Sequence, residues 1–251
     1  MMSIEPIVLF DLDGTLLDPG GAITGGIAAA IEEHGYPRPD DATLRKFVGP
    51  SSLEGLQRHT DIPAEAHPAI LETYRTQYPE RARQLSSVYP GIVELLADLR
   101  ELPVRVAIAT QKPQPSADRI AAQFGLAQYC DAISGARDDR WPESASLPTD
   151  KPGILARALD LLGAAGQDLS GAAVMVGDRE YDAVGAVANG IPCIGVSWGF
   201  GTQEELTAAG AAPVAEDVGQ LRVAIAELAG LPGLLPAGRS ASRAEGASRS
   251  G

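Results

Sequence analysis

Ile7-Val8-Leu9-Phe10-Asp11-Leu12-Asp13-Gly14-Thr15-Leu16-Leu17-Asp18 is the stretch whose reading decides the fold. Ile7 to Phe10 have the length and β-branched content of a strand buried on both faces, and carboxylates with a glycine then break the apolar run. Residues two apart on an extended backbone point to the same side, so Asp11 and Asp13 address one site while Gly14 bends the chain away. Two acids that share a site repel, and without a cation one is pushed toward protonation. A divalent metal is therefore expected. Asp and Gly are also ordinary turn residues, so the reading needs support from the rest of the chain.

Three further segments supply it. Ala172 to Val176 is a second buried apolar strand, followed by Gly177-Asp178-Arg179-Glu180-Tyr181-Asp182. If a helix starts there, Asp178 and Asp182 lie along one face, and Glu180 points elsewhere into solvent. Val104 to Ala109 forms another strand, closed by Thr110-Gln111-Lys112-Pro113. A hydroxyl at that end of a parallel strand stands where open α/β sheets place their ligands. Asp150-Lys151-Pro152 opens a helix running to about Leu162, with Pro152 suited to the first turn and Lys151 placed to reach over the strand ends.

Taken in order, these segments resemble the motifs of the haloacid dehalogenase superfamily of phosphatases, phosphoglycolate phosphatase-like members in particular. The resemblance implies that Asp11 is a nucleophile forming a phosphoaspartate and that Asp13 is the general acid and base. It implies that Thr110 binds a phosphoryl oxygen and that Lys151 neutralises nucleophile and phosphate. Asp178 would bind the metal directly, with Asp11 and the backbone carbonyl of Asp13, while Asp182 ligates the ion or orients its water and Lys151. Lys112 resembles a lysine that follows the threonine in phosphoglycolate phosphatase-like members, and Gln111 departs from their usual asparagine.

Length and composition set the outer bounds. A chain of 251 residues can bury roughly 70–75% of its unfolded surface, enough for one large domain or a core with an insert. The N-terminus shows no signal or transit pattern, no apolar run reaches membrane-spanning length, and Cys130 and Cys193 form no CxxC, so a reducing cytoplasm is the expected setting. A net charge of −13 argues against binding nucleic acid through its backbone. It does not exclude phosphate substrates, because distant charge is screened beyond about 8 Å whereas a metal and a lysine in contact are not. Only three lysines, Lys46, Lys112 and Lys151, stand against seventeen arginines.

Between the first strand and Val88 the pattern is helical throughout. Ile23, Ile27 and Ile31 recur at four-residue spacing, short helices are expected at 43–48 and 52–59, and a longer one spans 64–85 with Pro68 marking a later start or a break. No strand is expected between Leu17 and Val88. The fold class expected is α/β: a three-layer Rossmann-like core with a mainly parallel sheet from 1–18 and 89–235, a helical cap over 19–88, and a disordered tail over 236–251. The cap holds all three histidines, His34, His59 and His67, each expected to be partly exposed. Trp141, in the polar loop 135–150, is expected to be buried.

These readings predict Mg²⁺-dependent hydrolysis of a small phosphomonoester. In the resembling phosphatases a cap loop lies over the nucleophile, so Gly49-Pro50-Ser51-Ser52 is expected to face Asp11. Gly49 and Ser51 would then contact substrate beside Thr110, Gln111 and Lys112, with Arg45 and Lys46 supplying charge for a substrate carboxylate. Phosphoglycolate is the first choice and a nucleoside monophosphate the second. A sugar-phosphate mutase, a phosphonate hydrolase using Lys46 as a Schiff base, and a non-catalytic module are the alternatives. A dehalogenase is disfavoured by Asp13. No nucleic acid or membrane partner is expected.

Overall fold

The computed structural model describes residues 5–138 and 140–235, so the expected tail lies outside the described residues. Its strands are β1 (Ile7–Phe10), β2 (Leu17–Asp18), β3 (Ser87–Val88), β4 (Arg105–Pro113), β5 (Ala132–Ala136), β6 (Ala173–Gly177), β7 (Cys193–Val196) and β8 (Val214–Ala215). Its helices are α1 (Thr24–Glu33), α2 (Asp41–Arg45), α3 (Ser52–His59), α4 (His67–Leu85), α5 (Ile92–Arg100), α6 (Gln114–Gln123), α7 (Lys151–Leu161), α8 (Glu180–Ala188), α9 (Gln203–Ala208) and α10 (Val218–Leu228). Six strands form one parallel sheet in the order β5-β4-β1-β6-β7-β8, with β1 between β4 and β6.

Alternation along β1 builds the two faces of this sheet. Val8 and Phe10 join an apolar cluster with residues of α5, α6 and α10, whereas Ile7 and Leu9 join one with residues of α7, α8 and α9. All four side chains are buried, so β1 has no polar face and its sequence has no polar residue until the strand ends. Burying each large apolar side chain contributes roughly 1.5–3 kcal/mol, and cutting Phe10 to alanine would cost about 3–5 kcal/mol.

Helices α1 to α4 form the expected helical insert. Ile27 and Ile31 of α1 share a buried cluster with Ile70, Tyr74 and Tyr78 of α4. Pro68 takes the first turn of α4, after a short 3₁₀ turn at Ala64–Ala66, where its missing N–H costs nothing. Two expectations are corrected here. Leu17–Asp18 and Ser87–Val88 pair antiparallel as a two-residue ribbon, so strands do stand at the limits of the insert. His67 is buried because its ring nitrogen Nε2 lies 2.9 Å from the Ile62 carbonyl oxygen.

Trp141 is also corrected: it is 44% exposed. Its loop is held by polar contacts instead, with the Ser144 hydroxyl 2.6 Å from the Asp138 carbonyl and 2.8 Å from that of Trp141, and needs no apolar anchor. The strand ending at Ala109 in the sequence reading runs on to Pro113, with a register shift between those two residues. That irregularity leads Thr110, Gln111 and Lys112 out of the ladder at the end of the sheet where β1 and β6 also stop.

Candidate active site

Asp11 follows β1 directly, and its backbone N–H donates to the Val176 carbonyl at 2.9 Å, which fixes the start of the loop against β6. Leu12 to Leu17 then close tightly, with the Gly14 N–H donating to the Leu17 carbonyl at 2.8 Å. Gly14 has φ of +87°, and a Cβ there would stand 2.3 Å from an Asp178 oxygen. Glycine is needed twice over, for the left-handed backbone and for the close approach.

Three carboxylates meet beside this turn. Asp11, Asp178 and Asp182 each offer one oxygen, all within 4.8 Å of one another, and all three residues are buried. Asp178 accepts from the Phe200 N–H at 2.8 Å and from the Thr15 hydroxyl at 3.2 Å. Asp182 accepts the Arg179 N–H at 3.0 Å and so closes the first turn of α8. Burial, then the neighbouring charges of Asp182 and Asp11, hold the Asp178 carboxyl well above its ordinary range. Burial likewise raises Asp182 against the pull of Lys151. A cation among these oxygens would relieve both effects, so the donor set fits a hard divalent metal.

Two lysines complete the floor. Lys151 is 3% exposed, with its ammonium 2.6 Å from Asp11 Oδ1 and 2.5 Å from Asp182 Oδ1. It stands at the first position of α7, whose N-cap Asp150 accepts the Gly153 N–H at 3.0 Å. Burial opposes its charge, but Asp11 and then Asp182 outweigh that and raise its pKa. Lys112 pairs with Asp13 Oδ2 at 2.8 Å, donates to the Tyr78 hydroxyl at 2.8 Å and lies over the Tyr78 ring. This contact joins the core to α4 of the insert.

Asp13 is turned away from the carboxylate cluster. Its Oδ1 is buried without a hydrogen-bond partner among the described residues, an arrangement that calls for a ligand. Burial raises its pKa despite Lys112, which favours a carboxyl able to hold a proton. Asp11 and Asp13 line a cavity of about 350 Å³, together with Thr110, Gln111, Lys112, Gly49 and Ser51. Thr110 accepts the Lys112 N–H at 3.2 Å and keeps its own proton to donate.

Arg45 does not line this cavity. It ends the five-residue α2, and its guanidinium lies over the Phe200 ring at 5.2 Å, away from the cavity wall. Lys46 is exposed and also absent from the cavity wall, so the insert lysine that the Schiff-base alternative relies on does not line the site.

A family model for haloacid dehalogenase-like hydrolases matches residues 8–196, the span from β1 through β7. The chain belongs to this family. It is 40% identical to tyrosine-protein kinase PtkA of Mycobacterium tuberculosis over 78% of this chain and 63% of that protein. It therefore spans less than two thirds of that relative's length. It is 36% identical to a 5′-nucleotidase of Pseudomonas aeruginosa over 81% of this chain and 87% of that one. With a phosphoglycolate phosphatase of Caulobacter vibrioides it shares 30% identity over 81% and 84%. The crystal structure of a predicted phosphatase from Clostridium acetobutylicum superposes with a TM-score of 0.78 at 33% identity, covering 90% of this chain and all of that one.

Arg179 is the site residue that sequence reasoning missed. It is buried, its Nε donates to Glu205 Oε1 at 2.7 Å, and its Nη1 donates to the Val48 carbonyl at the entry to the Gly49-Ser51 turn. A Cβ on Gly49 would meet the Arg179 side chain at 3.0 Å. Position inside the GDxxxD stretch was the available signal, since a long cation between two carboxylates has to leave the cluster and find a partner beyond it.

Proposed function

We propose that this family member is a phosphoric monoester hydrolase acting on small phosphomonoesters with Mg²⁺, through an aspartyl-phosphate on Asp11. The observation that carries the reading is the division of labour between two carboxylates two residues apart. Asp11 is held by Lys151 beside the acidic cluster, while Asp13 keeps a buried oxygen without a partner at the cavity. One is placed to attack and the other to move a proton.

In the first half-reaction an Asp11 oxygen forms a bond to phosphorus as the bond to the leaving oxygen breaks, and Asp13 gives its proton to that oxygen. In the second, water attacks the phosphoaspartate, Asp13 takes the water proton, and inorganic phosphate leaves with Asp11 restored. Thr110 donates its hydroxyl to a phosphoryl oxygen, and Lys151 offsets negative charge on Asp11 and the phosphoryl group. Asp11, Asp178, the Asp13 carbonyl and Asp182, directly or through water, would hold the Mg²⁺. The ion would supply charge compensation for the transferring phosphoryl group.

The size of the cavity, about 350 Å³, and the helical insert that lines one side of it favour small substrates over phosphoproteins. Phosphoglycolate is our first choice and a nucleoside monophosphate our second, in keeping with the names of the phosphatase and nucleotidase relatives. A panel of phosphomonoesters, with and without Mg²⁺, tests the reading by phosphate release. Acid-quenched Asp13→Ala should trap label from an activated phosphate ester on Asp11. Failure of every panel member, or metal-independent release, would remove it.

A further inference from the structure

The cavity extends well past the groups that the phosphoryl chemistry uses. Its floor holds Asp11 and Asp13, and no other carboxylate lines it among the described residues. Its outer wall carries Arg75 from α4, Arg119 from α6, and Arg140 with Trp141 from the loop after β5. Arg140 is already satisfied, because Asp138 meets it at 2.7 Å. Arg75 and Arg119 have neither a hydrogen-bond partner nor an ion-pair partner among the described residues. Arg119 is exposed and Arg75 is half-buried near Asp138, so water and a distant carboxylate meet them at present, yet both line the cavity and, in a chain of net charge −13, both are open to an anion that enters it.

The position of these groups says which part of a ligand they would meet. Lys151 and Lys112 already answer the negative charges at the floor, so the outer arginines face what the phosphoryl group is attached to. Trp141 offers a planar apolar surface on the same wall. Its exposure, which the packing of its own loop does not require, fits a ring-bearing or otherwise flat leaving group.

Resting on the phosphomonoesterase reading above, we infer that Arg75 and Arg119 form a second anion subsite that selects substrates whose leaving group carries a carboxylate or another phosphate. Guanidinium forks suit either anion, and charge-assisted bonds to them are the strong ones. The insert and the core each contribute one arginine. Such a substrate would bridge the two layers.

Binding to Asp11→Asn in the presence of Mg²⁺ measures the preference without turnover. Calorimetry with phenyl phosphate, 4-carboxyphenyl phosphate and 1,4-phenylene bisphosphate separates no second anion, a carboxylate and a phosphate on matched rings. We expect at least one of the latter two to bind more tightly than phenyl phosphate. Combining Arg75→Ala with Arg119→Ala should reduce that preference about ten- to a hundredfold, the size expected for losing hydrogen bonds to a charged group. Arg75→Gln with Arg119→Gln, which keeps more of each stem, reads the same ratio if truncation disturbs the fold. A missing preference in the parent, or one that survives both pairs of substitutions, overturns the subsite. Phosphate release from the same three esters by the unsubstituted protein tests the other reading separately. If none is hydrolysed while the arginine-dependent preference holds, the hydrolase assignment falls and the subsite stands.

Discussion

Asp11 and Asp13 follow one strand yet end in different electrostatic company, and substitutions should separate them. Asp11→Asn removes the attacking oxygen's charge while keeping its shape, so turnover should vanish with the melting temperature close to that of the parent. Steady-state assays beside a thermal melt check this, and wild-type-like activity would refute a covalent route. Asp13→Ala should slow steady-state turnover about 10²- to 10⁴-fold, or roughly 3 to 5.5 kcal/mol of barrier. An undiminished rate would leave Asp13 a purely structural role. That both side chains would be buried at the end of β1 was legible in the sequence, because a buried strand stops at two acids and three further segments supply partners for them. The ion pair between Lys112 and Asp13 was not, since it depends on a bulge at the end of β4 and on Tyr78 arriving from α4. The position of Arg45 was not legible for a related reason: spacing placed it near the turn, but only packing shows that it faces Phe200.

Elements show the same split between pattern and packing. The strands β1, β4 and β6 were readable from apolar runs and breakers, whereas β2, β3 and β8 were not, because two-residue strands carry no alternation. The tie between the start of α8 and the insert likewise includes one long side chain. Arg179 links the loop after β6 to the Val48 carbonyl, and through it to the Gly49-Ser51 turn on the cavity wall. Arg179→Ala should lower stability by roughly 1.5–3 kcal/mol, the range for hydrogen bonds made by charged groups. It should also raise KM, because the turn loses its anchor. An unchanged melting curve together with an unchanged KM would show that the turn is held by other contacts.

For the molecule as a whole, the acidic cluster ties metal binding to stability. Asp178 and Asp182 have pKa values raised on folding, so their carboxyls favour the metal-free fold while protonated and oppose it as pH rises through those raised values. A metal ion reverses that opposition. The difference in melting temperature between Mg²⁺ and chelator should therefore widen as pH rises through about 6, the raised value of Asp182, toward neutrality and above. At a hundred times Kd, binding adds about 2.7 kcal/mol, or roughly 5–10 °C for a chain of this size. A difference that is flat from below pH 6 to above neutrality would show that the cluster is not where the ion binds.

The strand order carries a further consequence, in time. Phe10 is flanked by Ile108 of β4 and Val176 of β6. Translation at about 5–20 residues per second separates the synthesis of Phe10 from that of Val176 by roughly 8 to 33 seconds. Throughout that interval the strand that will carry the nucleophile has one or both of its edges bare. Ribosome-bound chains halted near residue 150 should therefore remain open to protease at β1, and chains long enough for β6 to clear the exit tunnel should become resistant. Early resistance would mean that the helical insert shelters β1 before its sheet neighbours exist.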